Sequence, residues 1–141
     1  METSEKTVIN IETTINAPVE KVWKYWNEPE HITKWCQASD DWHAPYAEND
    51  VRVDGRFKTI MAAKDGSFSF DFSGYYTNVR EHEIIEYTLD DDRKVKINFS
   101  DDGKETKVIQ SFEAESSHSI DMQRNGWQAI LDNFKKYTET N

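Results

Sequence analysis

The densest group of chemically versatile side chains runs from His31 to His43 and includes Cys36, Asp40 and Asp41. Thiolates, imidazoles and carboxylates are the groups that bind zinc in proteins. Their spacing matches no recognised zinc motif, so we expect no metal site. Cys36 and His43 could instead form a nucleophile and its base. We prefer a simpler interpretation, in which Cys36 is a small buried apolar residue and His43 orients a loop.

No other catalytic arrangement stands out in the sequence. Most of the 27 acidic residues cluster in turns such as Asp90–Asp92, where solvated charge is the ordinary explanation. His82 and His118 have no evident partner, and there is no glycine-rich phosphate loop, Ser-His-Asp arrangement or metal-binding histidine pair. We therefore expect no cofactor and favour a non-enzymatic function.

Composition and charge narrow the range of partners. The 141 residues fit a single globular domain spanning residues 1–141, and we expect a monomer. A net charge of -10 disfavours nucleic acids and anionic membrane surfaces as partners. The chain has no apolar run of about 18 residues that could span a membrane. Met1–Lys6 lacks the basic and apolar regions of a signal peptide, which predicts a cytoplasmic protein.

The last of the elements that would position these side chains is a helix, which we predict over Ser119–Thr138. Ser117 or Ser119 can cap its start. A glycine inside a helix lowers helix stability by about 1 kcal/mol relative to alanine. Gly126 therefore indicates that a side chain would be unfavourable at this position. We interpret it as close packing against a sheet, with room for a ligand as the alternative. The apolar positions on one face of this helix are Ile120, Trp127, Ile130, Leu131, Phe134 and Tyr137.

The first half of the chain reads as a strand, two short helices and a loop. Alternation predicts a strand over Thr7–Asn16. Pro18 and Pro29 each occupy a first helical position, where the missing N–H costs nothing. The polar stretch Cys36–Asp50 carries Trp42, His43 and Tyr46, and we interpret it as a long ordered loop of the kind that is often functional.

Six further strands follow, separated by turns at Asp65-Gly66, Asp90–Asp92 and Asp102-Gly103. Gly74 stands where an inward side chain is expected, which indicates a bulge or a closely crossing helix. Together these elements predict one α+β domain. The six predicted strands are Val51–Asp54, Arg56–Ala63, Phe68–Tyr76, Ile85–Leu89, Val95–Phe99 and Lys104–Glu113.

Four segments in this order resemble a known family: Asn16–Trp23, Pro29–Trp35, Val51–Phe57 and Gly126–Phe134. They are similar to the bacterial stand-alone members of the heat-shock-protein-90 ATPase activator homologues, within the START/birch-pollen-allergen (SRPBCC) superfamily. The resemblance extends over nearly the whole chain. One departure is Asp54, where family members often have glycine; we expect this position to matter for a turn and not for ligand choice.

The resemblance implies a helix-grip fold, in which a curved seven-stranded antiparallel sheet wraps around the long C-terminal helix and encloses an apolar cavity. Superfamily members hold lipids, sterols, polyketides or other hydrophobic molecules there. We expect Trp23, Phe68 and Phe112 to be core. Polar groups at the mouth would come from Asp41, His43, Tyr87 and Arg124. The predicted ligand-binding residues are Trp35, Trp42, His43, Phe57, Met61, Phe72, Tyr87, Phe99, Trp127 and Leu131.

Three functions follow from these observations. Binding of a small aromatic or lipid-like molecule is favoured by the cavity-forming fold and the many aromatic residues. The family name instead implies a co-chaperone-like interaction module in the stress response, whose acidic surface could meet a basic protein partner. This chain, however, resembles only the C-terminal domain of the eukaryotic activators. The third and least favoured function is an enzyme that uses Cys36, Asp41 and His43 within the cavity.

Overall fold

The computed structural model describes residues 7–141, so the prediction for Met1–Lys6 lies outside the described residues. The helices are α1 (Val19–Asn27), α2 (Pro29–Trp35) and α3 (Ile120–Thr140). The strands are β1 (Val8–Ile15), β2 (Trp42–Asn49), β3 (Arg56–Ala63), β4 (Ser69–Arg80), β5 (Ile84–Leu89), β6 (Lys94–Asp101) and β7 (Thr106–Glu113). No helix within residues 7–141 has the length and apolar character needed to cross a membrane.

The seven strands form one sheet in the order β1-β7-β6-β5-β4-β3-β2, with every neighbouring pair antiparallel. Consecutive strands from β2 to β7 are neighbours, and β1 pairs with β7, so β1 and β2 form the two edges. The long helix α3 packs against β1, α1 and α2, while α2 packs against β2. This is the helix-grip architecture, and the predicted α+β fold is confirmed.

Alternating apolar residues place one face of the sheet in the core. On β5 and β6 the predicted inward residues are all buried, and on β7 Phe112 is buried as expected. Trp23 packs edge-on against Phe99, with the ring centroids 5.2 Å apart. The prediction for Phe68 is wrong, since this side chain is 58% exposed. It precedes β4 at the tip of a hairpin, where its ring contacts are with Trp42 and Phe70.

Two predictions about the segment before β3 are wrong. The expected loop over Cys36–Asp50 contains strand β2, which pairs with β3 and shifts register between His43 and Tyr46. The expected strand over Val51–Asp54 is instead a turn, closed by the Gly55 N–H donating to the Arg52 carbonyl (2.8 Å). Asp54 has a φ of 70° there, which suits the turn role expected at this departure from the family.

Local interactions explain where α3 begins and how β4 approaches β5. Ser119 caps α3, because its Oγ accepts a hydrogen bond from the Met122 N–H (3.1 Å). At Gly74 an added Cβ would lie 2.3 Å from the carbonyl oxygen of Thr88 on β5. The missing side chain therefore accommodates a neighbouring strand and not a crossing helix. The other explanation for this glycine is a bulge. The pairing of β4 with β5 does shift register just after Tyr76.

Candidate ligand-binding cavity

A cavity of about 270 Å³ lies between the sheet and α3, with α1 and α2 contributing to its wall. We call it the inner cavity. Its volume is just below the range of roughly 300–1,000 Å³ typical of small-molecule sites. Its apolar and aromatic wall is formed by Trp26, Ile32, Trp35, Phe57, Met61, Phe70, Phe72, Tyr76, Tyr87, Trp127, Ile130 and Leu131.

A second and more open cavity of about 450 Å³ adjoins the first, and we call it the vestibule. Its wall combines Ala38, Ser39 and Trp42 with part of α3 and includes His118, whose Nδ1 lies 3.0 Å from Glu115 Oε1. The two cavities adjoin at the residues that line both, which are Met61, Phe70, Arg93, Trp127 and Ile130.

Gly126 lines the vestibule, and a Cβ added to it would meet no atom within 4 Å. The close packing expected from the sequence is therefore wrong. The structure has open space beside the helix at this position, and the alternative, room for a ligand, stays a prediction. The next residue, Trp127, divides the two cavities and is held flat on Phe112, with ring centroids 3.9 Å apart and planes at 8°. Phe72 meets the Trp127 ring edge-on at 5.8 Å.

Of the ten predicted ligand-binding residues, seven line the inner cavity and one, Trp42, lines the vestibule. Phe99 lines neither cavity, because it is buried beneath Trp23 and against Trp26, with ring centroids 5.2 and 6.0 Å away. His43 also lines neither, and it lies opposite Ala62 in the β2–β3 pair. The seven are Trp35, Phe57, Met61, Phe72, Tyr87, Trp127 and Leu131.

The polar groups of the cavities differ from those expected. Of the four residues proposed for the mouth, Tyr87 lines the inner cavity, whereas Asp41, His43 and Arg124 line neither cavity. Arg124 instead forms an ion pair with Asp121 on the surface of α3, with Nη1 and Oδ1 3.0 Å apart. The polar residues that do line the inner cavity are Asn27, Cys36, Glu48, Asn49, Thr59, Tyr76, Tyr87, Arg93 and Gln110.

A polar chain lies within one part of the inner-cavity wall. The Tyr76 hydroxyl donates to Asn49 Oδ1, and Asn49 Nδ2 donates to the Asn27 carbonyl oxygen over 2.8 Å. Burial raises the pKa of Tyr76, so its hydroxyl stays protonated and remains a donor. The side-chain Oδ1 of Asn27 is buried without a hydrogen-bond partner. These contacts join α1 to β2 and β4 and fix this part of the wall.

The suspected nucleophile, base and acid are not assembled into one site. Cys36 is buried in the inner-cavity wall, and burial raises its pKa from 9 to about 12, which keeps it a thiol. Asp41 is exposed and accepts a hydrogen bond from Ser39 Oγ (2.5 Å). Among residues 7–141 no hydrogen bond connects Cys36, Asp41 and His43. His31 lies apart from them, with Nδ1 2.7 Å from the Tyr137 hydroxyl.

The sequence profile described as Activator of Hsp90 ATPase homolog 1-like protein matches residues 16–139. The chain belongs to this AHSA1-like family. No functionally curated protein matches the sequence.

Solved structures of bacterial proteins share the fold of this AHSA1-like protein. A solution structure of an AHSA1-like protein from Aeromonas hydrophila is 44% identical, with a TM-score of 0.89, and the match covers 95% of this chain and 93% of that chain. A protein from Cytophaga hutchinsonii is 55% identical, with a TM-score of 0.81 and 94% and 92% coverage. A Chromobacterium violaceum protein at 22% identity, with a TM-score of 0.84 and 95% and 98% coverage, shows the shared fold alone.

Proposed function

We propose that this AHSA1-like protein binds a small hydrophobic molecule, aromatic or lipid-like, in the inner cavity and does not transform it. The observation that carries the proposal is a partly open cavity of about 270 Å³ between the sheet and α3, with a mainly apolar wall. Small-molecule sites are typically concave and mainly apolar, with a few polar groups. A space walled by aromatic rings in this position therefore fits a ligand-binding site.

The vestibule supports the same function, because it adjoins the inner cavity and is open to solvent. The two spaces share a wall of Met61, Phe70, Trp127 and Ile130, which is apolar apart from Arg93. The stacking of Trp127 on Phe112 makes part of this shared wall preformed. A preformed apolar wall lowers the ordering cost of binding.

The direct test uses N-phenylnaphthylamine, an uncharged probe whose fluorescence rises in apolar surroundings. We expect saturable binding, with NMR shifts at the indole N–H groups of Trp35 and Trp127. Ile130→Trp would fill the junction of the two cavities and should abolish binding. Lys136→Trp, at an exposed position of α3 that lines neither cavity, is the matched control and should bind as the wild type does. A folded wild type that gives no saturable signal would overturn the proposal.

A second candidate function is a protein-interaction module, as the family name implies. It is favoured by an exposed aromatic group at the vestibule rim, formed by Trp42, Phe68 and Phe70 with ring centroids 6.0–6.1 Å apart. Phe68 and Phe70 are 58% and 42% exposed. The test is whether the protein stimulates the ATPase of an Hsp90-type chaperone, and whether Phe68→Ser removes the stimulation. Ser67→Ala, at the same hairpin tip, is the control.

A further inference from the structure

Three polar side chains in the inner-cavity wall make no hydrogen bond to another described residue. Thr59 on β3, Tyr87 on β5 and Gln110 on β7 are 5%, 7% and 6% exposed. Among the described residues the buried side-chain atoms that lack a partner are Asn27 Oδ1 and Thr138 Oγ1, so the polar atoms of these three side chains keep some accessible surface. The hydroxyl of Tyr76 in the same wall instead donates to Asn49. The three groups are therefore available to a molecule that enters the cavity.

Arg93 adds a charge to this wall at the junction of the inner cavity and the vestibule. It is the one Lys or Arg side chain that lines either cavity within residues 7–141. The side chain is 22% exposed, and its Nε donates to Asp91 Oδ2 over 2.8 Å. This contact fixes the guanidinium, while its two Nη groups have no acceptor among the described residues. A guanidinium carries five N–H donors and no acceptor.

Thr59, Tyr87, Gln110 and Arg93 can all donate to the same kind of ligand atom, whereas Asn27 Oδ1 in the same wall can only accept. Burial raises the pKa of the Tyr87 hydroxyl, and the charge of Arg93 opposes this rise without reversing it, so the group remains an O–H donor. The amide of Gln110 and the hydroxyl of Thr59 also carry donors. Charge-assisted hydrogen bonds to a carboxylate are about twice as strong as neutral ones, and arginine can bind a carboxylate with two parallel bonds.

We propose that the cavity ligand is a hydrophobic carboxylic acid, whose carboxylate is bound by Arg93 and the Tyr87 hydroxyl while its apolar body fills the inner cavity. The proposal rests on the proposed binding function and narrows it to one chemical class. Two carboxylates, Glu48 and Glu115, also line the cavities. Each already accepts a hydrogen bond, from the Tyr46 hydroxyl and from the His118 ring respectively, both at 3.0 Å. Both acids keep further acceptor sites, as Arg93 keeps free donors beside Asp91, so a cationic ligand is included in the test.

Isothermal titration with three matched compounds tests this: naphthoic acid, naphthalenemethanol and naphthylmethylamine, which share one apolar body. For the wild type we expect the acid to bind about tenfold or more tightly than the alcohol, and the amine to bind least. Arg93→Gln should remove the preference for the acid, so that the acid-to-alcohol affinity ratio falls to about one. Arg56→Gln is the control, because Arg56 is exposed, pairs with Asp90 and lines neither cavity.

A second pair of variants removes single hydroxyl groups from the same wall. Tyr87→Phe should weaken acid binding by about tenfold without lowering the thermal midpoint, because its hydroxyl has no partner to lose. Tyr76→Phe should lower the midpoint instead, since it breaks the bond to Asn49, and should change the acid-to-alcohol ratio less than Tyr87→Phe does.

The outcomes separate the two proposals. Equal binding of acid and alcohol, tighter binding of the amine, or an acid preference that survives Arg93→Gln would overturn the ligand class while hydrophobic binding stands. If neither these compounds nor N-phenylnaphthylamine binds the folded wild type, the proposed function fails and the ligand class fails with it.

Discussion

Asn133 on α3 donates a hydrogen bond from Nδ2 to the carbonyl oxygen of Trp35, the last residue of α2, over 2.8 Å. The bond connects two of the four sequence segments that carry the family resemblance. It also fixes the end of α2, so that Trp35 and Cys36 are held in the inner-cavity wall. The α2–α3 contact therefore positions part of the cavity wall as well as stabilising the fold.

Asn133→Ala should lower the free energy of unfolding by about 1 kcal/mol, because it removes this partly buried hydrogen bond. Urea unfolding followed by tryptophan fluorescence measures the change. Lys136→Ala, on the exposed side of the same helix, is the control and should fall within about 0.5 kcal/mol of the wild type. A loss no larger than that of the control would show that the bond does not stabilise the α2–α3 contact.

Cys36 should be nearly unreactive in the native protein. Its pKa is raised to about 12 by burial, which lowers its thiolate fraction near pH 8 by roughly a thousandfold relative to a free thiol. Labelling with a chromogenic disulfide should therefore be slow in buffer and rapid in urea. A ligand that occupies the inner cavity should slow labelling further, and Asn133→Ala should speed it. Rapid labelling of the native wild type would contradict the buried position.

Stability should fall in alkaline solution. The pKa values of Cys36, Tyr76 and Tyr87 are all raised by burial, so the unfolded chain releases these protons at a lower pH than the folded chain does. The stabilisation is fully present below pH 9, the ordinary pKa of a thiol, and is lost as pH rises towards the folded pKa of Cys36, about 12. Urea midpoints between pH 8 and 11 measure the decline, which should be smaller for Cys36→Ala.

Gly126→Ala should raise the free energy of unfolding by about 1 kcal/mol, because alanine is the better helix former and the added Cβ meets no atom within 4 Å. Gly103→Ala is an instructive control. It has equally open surroundings, but its φ of 86° strains any residue with a side chain, so this variant should be less stable. Thermal unfolding compares the two. A destabilised Gly126→Ala would contradict the open space beside the helix.

The strands with clear alternation could be predicted from the sequence, but β2 could not. The inward residues of β5 and β6 alternate with polar ones, so their faces follow directly from the pattern. In β2, Pro45 lies within a register shift between His43 and Tyr46, which removes the alternation that marks a strand. Only the position of β2 at the sheet edge makes a proline acceptable there, and sequence spacing does not reveal that position.

The cavity wall could be predicted at the inward rings Phe57, Phe72 and Tyr87 but not at Phe99, an inward ring that Trp23 and Trp26 cover. Gln110 also carried a signal, because it lies at an inward position between Val108 and Phe112 on β7. No feature of the sequence marked Arg93 as a cavity residue, because it follows a run of aspartates that is typical of a solvated turn. Which way a turn directs its side chains depends on the two strands it joins, and that relationship exists only in the folded sheet.

The edge of the sheet at β2 also bears on how the protein behaves at high concentration. An open strand edge is a template on which another chain can add a strand, and so a starting point for aggregation. Pro45 lacks an N–H, and the register shift beside it bends the run of donors and acceptors out of line. The irregularity that hides β2 in the sequence thus makes it a poor template for intermolecular strand pairing.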